Sequence, residues 1–279
     1  MSVWVFTALV WMISLVAGFL GALTGLGGGV VIVPALALLF GVDVRYAIGA
    51  SLISVIATSS GAAAAYVKEG YSNIRIGMFL EIATTLGALF GAYLAAHVTT
   101  QTIAIVFGIV LLYSAFQSLF DVESEAEKSL GADPLATRLK LNGDYPVGNS
   151  RRPYYVQHVP AGFGLMIGAG ALSGLLGIGS GAVKVIGMDR VMRIPFKVST
   201  TTSNFMIGVS AAASAGIYLS RGYIEPGLAM PVMLGVLTGA LAGTKVLVVA
   251  RVPTLRKIFA GLIVLLAVEM IFNGFTGRL

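Results

Sequence analysis

The chain has 279 residues, 57% of them apolar and 11% charged, with a net charge of +6 and a mean hydropathy of +0.92. An average soluble domain carries about 25% charged residues, so these values exclude a soluble enzyme, a disordered chain and an ordinary nucleic-acid binder. With no Cys there is no disulfide or thiolate chemistry, and two His beside loops offer no imidazole cluster, so no metal and no cofactor are expected.

A bilayer core of about 30 Å asks for about 20 apolar residues per crossing helix. Spanning helices are predicted over 3–23, 47–67, 75–96 and 102–120, then over 160–176, 199–220, 227–250 and 257–275. The first follows Met1 with no basic n-region and reads as a retained helix. Two shorter apolar stretches, 30–41 and 182–188, each follow a glycine cluster. These clusters are Gly25-Leu26-Gly27-Gly28-Gly29 and Gly177-Ile178-Gly179-Ser180-Gly181. Between the two sets, residues 121–158 carry eleven Asp, Glu, Lys and Arg with scattered Pro and Gly, which predicts a polar and mobile linker. The division is a first transmembrane repeat over 1–120, a cytoplasmic linker over 121–158 and a second repeat over 159–279.

The halves match each other. An ungapped shift of 152 residues places Gly25, Gly27 and Gly29 on Gly177, Gly179 and Gly181. It also pairs Ser51 with Ser203, Tyr66 with Tyr218, and Gly87 and Gly91 with Gly239 and Gly243. Sixteen of the 75 positions from 21 to 95 are identical, with no gap, which indicates a tandem duplication. If each glycine cluster turns the chain back, the second half is inverted. Thirteen Lys and Arg then share the linker's side, against Arg45, Arg221 and Arg278 opposite. A parallel arrangement splits them nine against seven, so the positive-inside rule favours inversion, with the linker cytoplasmic and both termini outside.

Glycine clusters at membrane depth suit backbone that is buried or lines a wet cavity. Helices restarting at Val30 and Ala182 would aim free N–H groups and positive dipole ends back at the turns, a construction suited to anions. The competing reading is close helix packing; Gly87-xxx-Gly91 and Gly239-xxx-Gly243 are assigned to packing outright. Candidate ligands are Thr24, Gly27, Gly28, Gly29 and Ser51 in the first half. In the second they are Gly179, Ser180, Gly181, Lys184, Ser203 and Asn204. Small hydroxyls can donate to an oxyanion, though they also bond back to their own helix. A lysine inside an apolar stretch is costly and points to function, or else snorkels to the nearby Asp189/Arg190 loop. Glu81 and Glu269, the acidic residues within spans, are candidates to carry a coupling proton, with a partly solvated or lysine-paired role as the alternative for Glu81. No Ser-His-Asp arrangement is available.

The run Gly18-Phe-Leu-Gly-Ala-Leu-Thr-Gly-Leu-Gly-Gly-Gly-Val-Val-Ile-Val-Pro34, followed by Arg45-Tyr-Ala-Ile-Gly-Ala-Ser-Leu52, resembles the first signature of the sulfite exporter TauE/SafE family. Gly174-Leu-Leu-Gly-Ile-Gly-Ser-Gly-Ala-Val-Lys-Val185, with Pro195-Phe-Lys-Val-Ser-Thr-Thr-Thr-Ser-Asn-Phe-Met-Ile-Gly208, resembles the second. The likeness spans nearly the whole chain outside 121–158. It implies a multi-spanning transporter of sulfite, other sulfur oxyanions or organosulfonates. Two departures affect the second turn: Ser180 replaces the usual middle glycine, and Ile186 stands where proline is common.

The expectation is therefore an all-α, polytopic integral membrane protein of two inverted repeats, each a glycine-turned helical hairpin plus three transmembrane helices. It would sit in the cell membrane and carry a small anionic substrate, with sulfite or a sulfonate foremost, by alternating access. An anion channel, or a permease for a non-sulfur anion, is the alternative. Its partners are the substrate and the lipid bilayer, with no nucleic acid, and a homodimer is a candidate assembly.

Overall fold

The structure is a computed structural model that describes every residue except 1, 25–27, 69–70, 120–132, 148–149, 248–251 and 279. At 22–24, 61–68, 117–119, 147, 182, 244–247 and 252–259 it describes the backbone alone. The first half holds α1 (Val3–Thr24), α2 (Gly29–Phe40), α3 (Val44–Lys68), α4 (Ile74–Ala95) and α5 (Thr100–Leu119). The second holds α7 (Val159–Leu176), α8 (Gly181–Ile186), a π-helical turn (Gly187–Val191), α9 (Phe196–Ser220), α10 (Pro226–Leu247) and α11 (Val252–Thr276). Eight of these coincide with the eight predicted spans, and α2 and α8 begin where the glycine clusters end. Among the described residues four helices, α1, α4, α7 and α10, are long and apolar enough by themselves to cross a membrane. Trp4, Phe90, Phe116 and Phe275 are all more than half exposed, an outer surface suited to hydrocarbon rather than water.

The 152-residue shift maps α1 to α7, α2 to α8, α3 to α9, α4 to α10 and α5 to α11, and the packing obeys the same exchange. Helix α1 lies along α10, and α4 along α7. Glycines bring both pairs close: a methyl on Gly18 would strike the Val236 carbonyl, and one on its counterpart Gly170 the Thr84 carbonyl. Likewise Gly87 faces the Ile167 carbonyl and its counterpart Gly239 that of Leu15. Small residues let backbones approach this closely, and association in lipid depends on such packing. Helices α3 and α9 pack on each other, as do α5 and α11, so each meets its own counterpart. Both pairs run antiparallel, since Gly49 meets Tyr223 where Gly208 meets Ser59, and Gly108 meets Ala267 where Gly274 meets Gln101.

The linker is not all helix-free polar chain. Residues 133–158 form α6 (Pro134–Arg138) and an antiparallel hairpin, β1 (Gly143–Val147) with β2 (Ser150–Tyr154). This is a small addition to an otherwise helical fold. Its apolar side is packed, contrary to the expected mobility: Ala136, Leu141, Tyr154 and Val156 join Ile76, Leu80 and Met188 in a buried cluster. Asn73 secures it. The Asn73 Oδ1 accepts from the Ile76 amide (3.1 Å) and so caps α4, while its Nδ2 donates to the Tyr154 hydroxyl (2.6 Å). Burial pushes the Tyr154 hydroxyl up to about 12. At the far end of α4, Arg45 donates to the carbonyls of Ala95 (3.2 Å) and Val98 (2.8 Å), and Arg221 lies over the Tyr93 ring. The linker and this Arg45/Arg221 pair thus occupy opposite ends of the molecule.

Candidate functional site

The start of α2 and the second glycine turn converge. Helix α7 ends at Gly177, which takes a left-handed backbone (φ +68°) and donates its N–H to Ser173. Gly179 (φ +72°) and Ser180 (φ +45°) carry the chain round into α8. A side chain at Gly29, the first residue of α2, would stand 2.6 Å from Ser51 Oγ and 3.2 Å from the Gly177 carbonyl. One at Gly179 would stand 2.7 Å from Ile207 and 3.5 Å from Val55. The starts of α2 and α8 therefore meet at the crossing of α3 and α9, between the halves.

Several candidate donors are already engaged. The Ser51 hydroxyl, fully buried, donates to Gly177 O (2.8 Å), a bond from one half to the other. Ser203 donates to Gly181 O at 3.4 Å. Ser54, Ser199 and Thr201 all bond to backbone carbonyls, as the competing reading of such hydroxyls had it. Thr202 accepts from the Asn73 amide (3.1 Å), tying α9 to the α4 cap. Asn204 is half-buried and has no partner among the described residues. Gly28 is buried against Val236. Gly27 and the Thr24 side chain lie outside the described residues.

Ser180 differs from these. Its side chain is 5% exposed and its Oγ has no hydrogen-bond partner. It lines a small pocket with Val30, Val110, Ser114, Ile178 and Gly181. An unpartnered buried hydroxyl costs about 1–3 kcal/mol, so this oxygen sits where a polar ligand would relieve it. No carboxylate lines the pocket, and among the described residues no cluster of His, Asp and Glu is placed to hold a metal.

Lys184 stands one turn past Ser180 and does not snorkel. It is wholly buried, and its ammonium donates to Ser210 Oγ (2.7 Å) on α9 rather than lining that pocket. Glu81 of α4, 7% exposed, also lies near Ser210 of α9 and interacts electrostatically with Lys184. Glu269, the other acidic residue in a span, is exposed. Ser210 and Asn73 were missed from the sequence. Ser210 is one serine among small residues on α9, and Asn73 shows its role only as the residue before an apolar helix.

A largely apolar helical bundle with an apolar exterior and a polar seam between its two halves is a multi-pass membrane protein. The chain belongs to the sulfite exporter TauE/SafE family, whose pattern matches residues 10–270, and it is a membrane transporter of that family. It is 27% identical to the probable membrane transporter protein YunE of Bacillus subtilis (strain 168), over 94% of this chain and 96% of that one. It is 27% identical to YdhB of the same organism, over 84% and 86% of the two chains. Against MJ0441 of Methanocaldococcus jannaschii it is 23% identical over 84% of each; both of these are also described as probable membrane transporter proteins. No solved structure matches the chain significantly.

Proposed function

We propose that the protein is a secondary transporter of a small anion, foremost sulfite or a related sulfur oxyanion or organosulfonate. The observation that carries this reading is the meeting of the start of α2 with the second glycine turn around Gly29, Ser51 and Gly177, beside the unpartnered Ser180 hydroxyl. Backbone N–H groups at the starts of α2 and α8 and the hydroxyls of Ser180 and Ser203 supply donors, in part replacing an anion's hydration. Lys184, one turn into α8, supplies positive charge.

The repeats are inverted, with the pseudo-two-fold axis in the membrane plane. In support, the counterparts α3 and α9, and α5 and α11, run antiparallel, and counterparts that cross a membrane in opposite senses belong to inverted halves. The linker faces the cytoplasm and both termini face outward, following the basic-residue asymmetry. Rocking of one half against the other about the glycine turns exposes the site alternately.

The test is flux into liposomes holding the purified protein, for sulfite, thiosulfate, methanesulfonate and, as comparators, nitrate and chloride. Saturable uptake of a sulfur anion, accelerated by the same anion on the opposite face and weakened in Ser180→Ala, is the expected result. Uptake that neither saturates nor shows acceleration from the opposite face makes the protein a channel. Absence of sulfur-anion movement overturns the substrate class.

A further inference from the structure

Lys184 carries three donors, and among the described residues one acceptor meets them, Ser210 Oγ at 2.7 Å. Glu81 accepts from the Thr85 hydroxyl through Oε1 (3.2 Å), while its Oε2 is buried with no partner. The two act on each other as charges without touching: the one ion pair in contact among the described residues is Arg151 with Asp144, in the linker hairpin. A buried ammonium short of acceptors and a buried carboxylate with an orphaned oxygen thus face the same stretch of α9.

The duplication sharpens this. The 152-residue shift sets Ile32 against Lys184, Met233 against Glu81 and Thr58 against Ser210. One half-site holds both charges; its counterpart holds neither, and Ile32 is packed as core at 1% exposure. Two charges confined to one of two equivalent sites, both present there and both apolar in the other, belong to one function. Packing does not require them, since the counterpart packs without them.

We propose that Glu81 is the internal counter-ion of Lys184 and carries the proton that accompanies the anion. This rests on the anion reading above. In the empty carrier the Glu81 carboxylate balances the Lys184 ammonium. When a monovalent anion enters beside Lys184, the buried group would hold one uncompensated negative charge, which a low-dielectric interior strongly disfavours. Glu81 then takes one proton from solution. The buried site is neutral both empty and loaded, and release of the anion on the far side returns the proton there. An O–H bond at Glu81 forms and later breaks; nothing is oxidised or reduced.

Few other groups bear on Glu81. Helix α7 carries no ionisable side chain, and α9 carries Lys197 and Tyr218, towards its two ends. Arg75 lies at the start of α4 with the linker's Tyr154, and Asp189, buried in the π-turn, has an interaction of its own. Lys184 is the charged side chain whose field reaches Glu81 among the described residues.

The test is calorimetric binding of methanesulfonate, which has no titratable proton near neutral pH, to the full chain in detergent. Buffers of different ionisation enthalpy report the protons exchanged. Wild type should take up one proton per anion; Glu81→Gln should bind the anion with no proton uptake. In liposomes the same variant should lose uptake driven by a pH gradient and keep anion-for-anion exchange. Absence of proton uptake in wild type, or equal uptake in Glu81→Gln, overturns the proposal while leaving the anion reading intact. If wild type binds neither methanesulfonate nor thiosulfate, the anion reading falls and takes this one with it. The wild-type measurement alone decides the matter if Glu81→Gln does not fold.

Discussion

The Ser51 hydroxyl donates to the carbonyl of Gly177, 126 residues further along the chain, at 2.8 Å. Ser51 belongs to α3 and Gly177 closes α7, so this bond ties a helix of the first half to the glycine turn of the second. It is also a choice between two uses of one group. The donor is committed to the backbone, and an arriving anion can take it only by releasing Gly177.

Ser51→Ala is accordingly expected to destabilise the protein by about 1–3 kcal/mol, the usual cost of leaving a buried carbonyl without its donor. Ser203→Ala removes a longer and weaker contact, 3.4 Å to Gly181 O, and should cost less. Thermal unfolding in detergent measures both. Equal losses would show that the Ser51 bond is no stronger than its counterpart.

The glycine seams make a second expectation. Gly87→Ala and Gly239→Ala each drive a methyl into a facing carbonyl, of Ile167 and Leu15 respectively, and overpacking of this kind costs about 1–3 kcal/mol. Gly164→Ala and Gly216→Ala meet open space and should stabilise by about 0.5–1 kcal/mol, because alanine loses less backbone freedom. Monodispersity on size exclusion and unfolding temperature report the contrast. Unchanged stability in Gly87→Ala and Gly239→Ala would contradict the proximity of the backbones.

Ser180 separates stability from binding. It holds a left-handed backbone (φ +45°) that costs a residue with a Cβ about 1–2 kcal/mol. Ser180→Gly should therefore raise the unfolding temperature and, by removing the unpartnered hydroxyl, weaken anion binding. A variant that gains stability and binds as wild type does would assign this serine no part in the site.

The linker should respond to acid. Asp133 accepts from the amides of Leu135 (2.8 Å) and Val159 (3.1 Å), which hold its carboxyl below the usual aspartate value of 3.8. A carboxyl with a lowered folded pKa favours the folded state above its unfolded value, and this contribution fades as pH falls through the folded one. The junction of α6 with α7 should thus be protected at pH 5 and loosen below pH 3.8. Amide exchange at Leu135 and Val159 follows it, and Asp133→Asn should be insensitive to pH over that range.

The eight long helices and the two short ones were legible in the sequence for a plain reason. Apolar runs of membrane length and an ungapped repeat are one-dimensional properties of the chain. Even the glycine spacing was informative, since Gly87 and Gly239 could be assigned to packing before their facing carbonyls were known. The linker's packing was not legible: Leu141, Tyr154 and Val156 are isolated apolar residues in a polar stretch, and only a partner surface on α4 and α7 buries them. Nor did the sequence distinguish Ser51, with its donor engaged, from Ser180, with its oxygen unpartnered; that depends on which carbonyl lies within about 3 Å. Lys184 could be flagged as a costly charge. Only the tertiary structure brings Ser210 and Glu81 to it, because the field at a buried group is set by neighbours far apart in the chain.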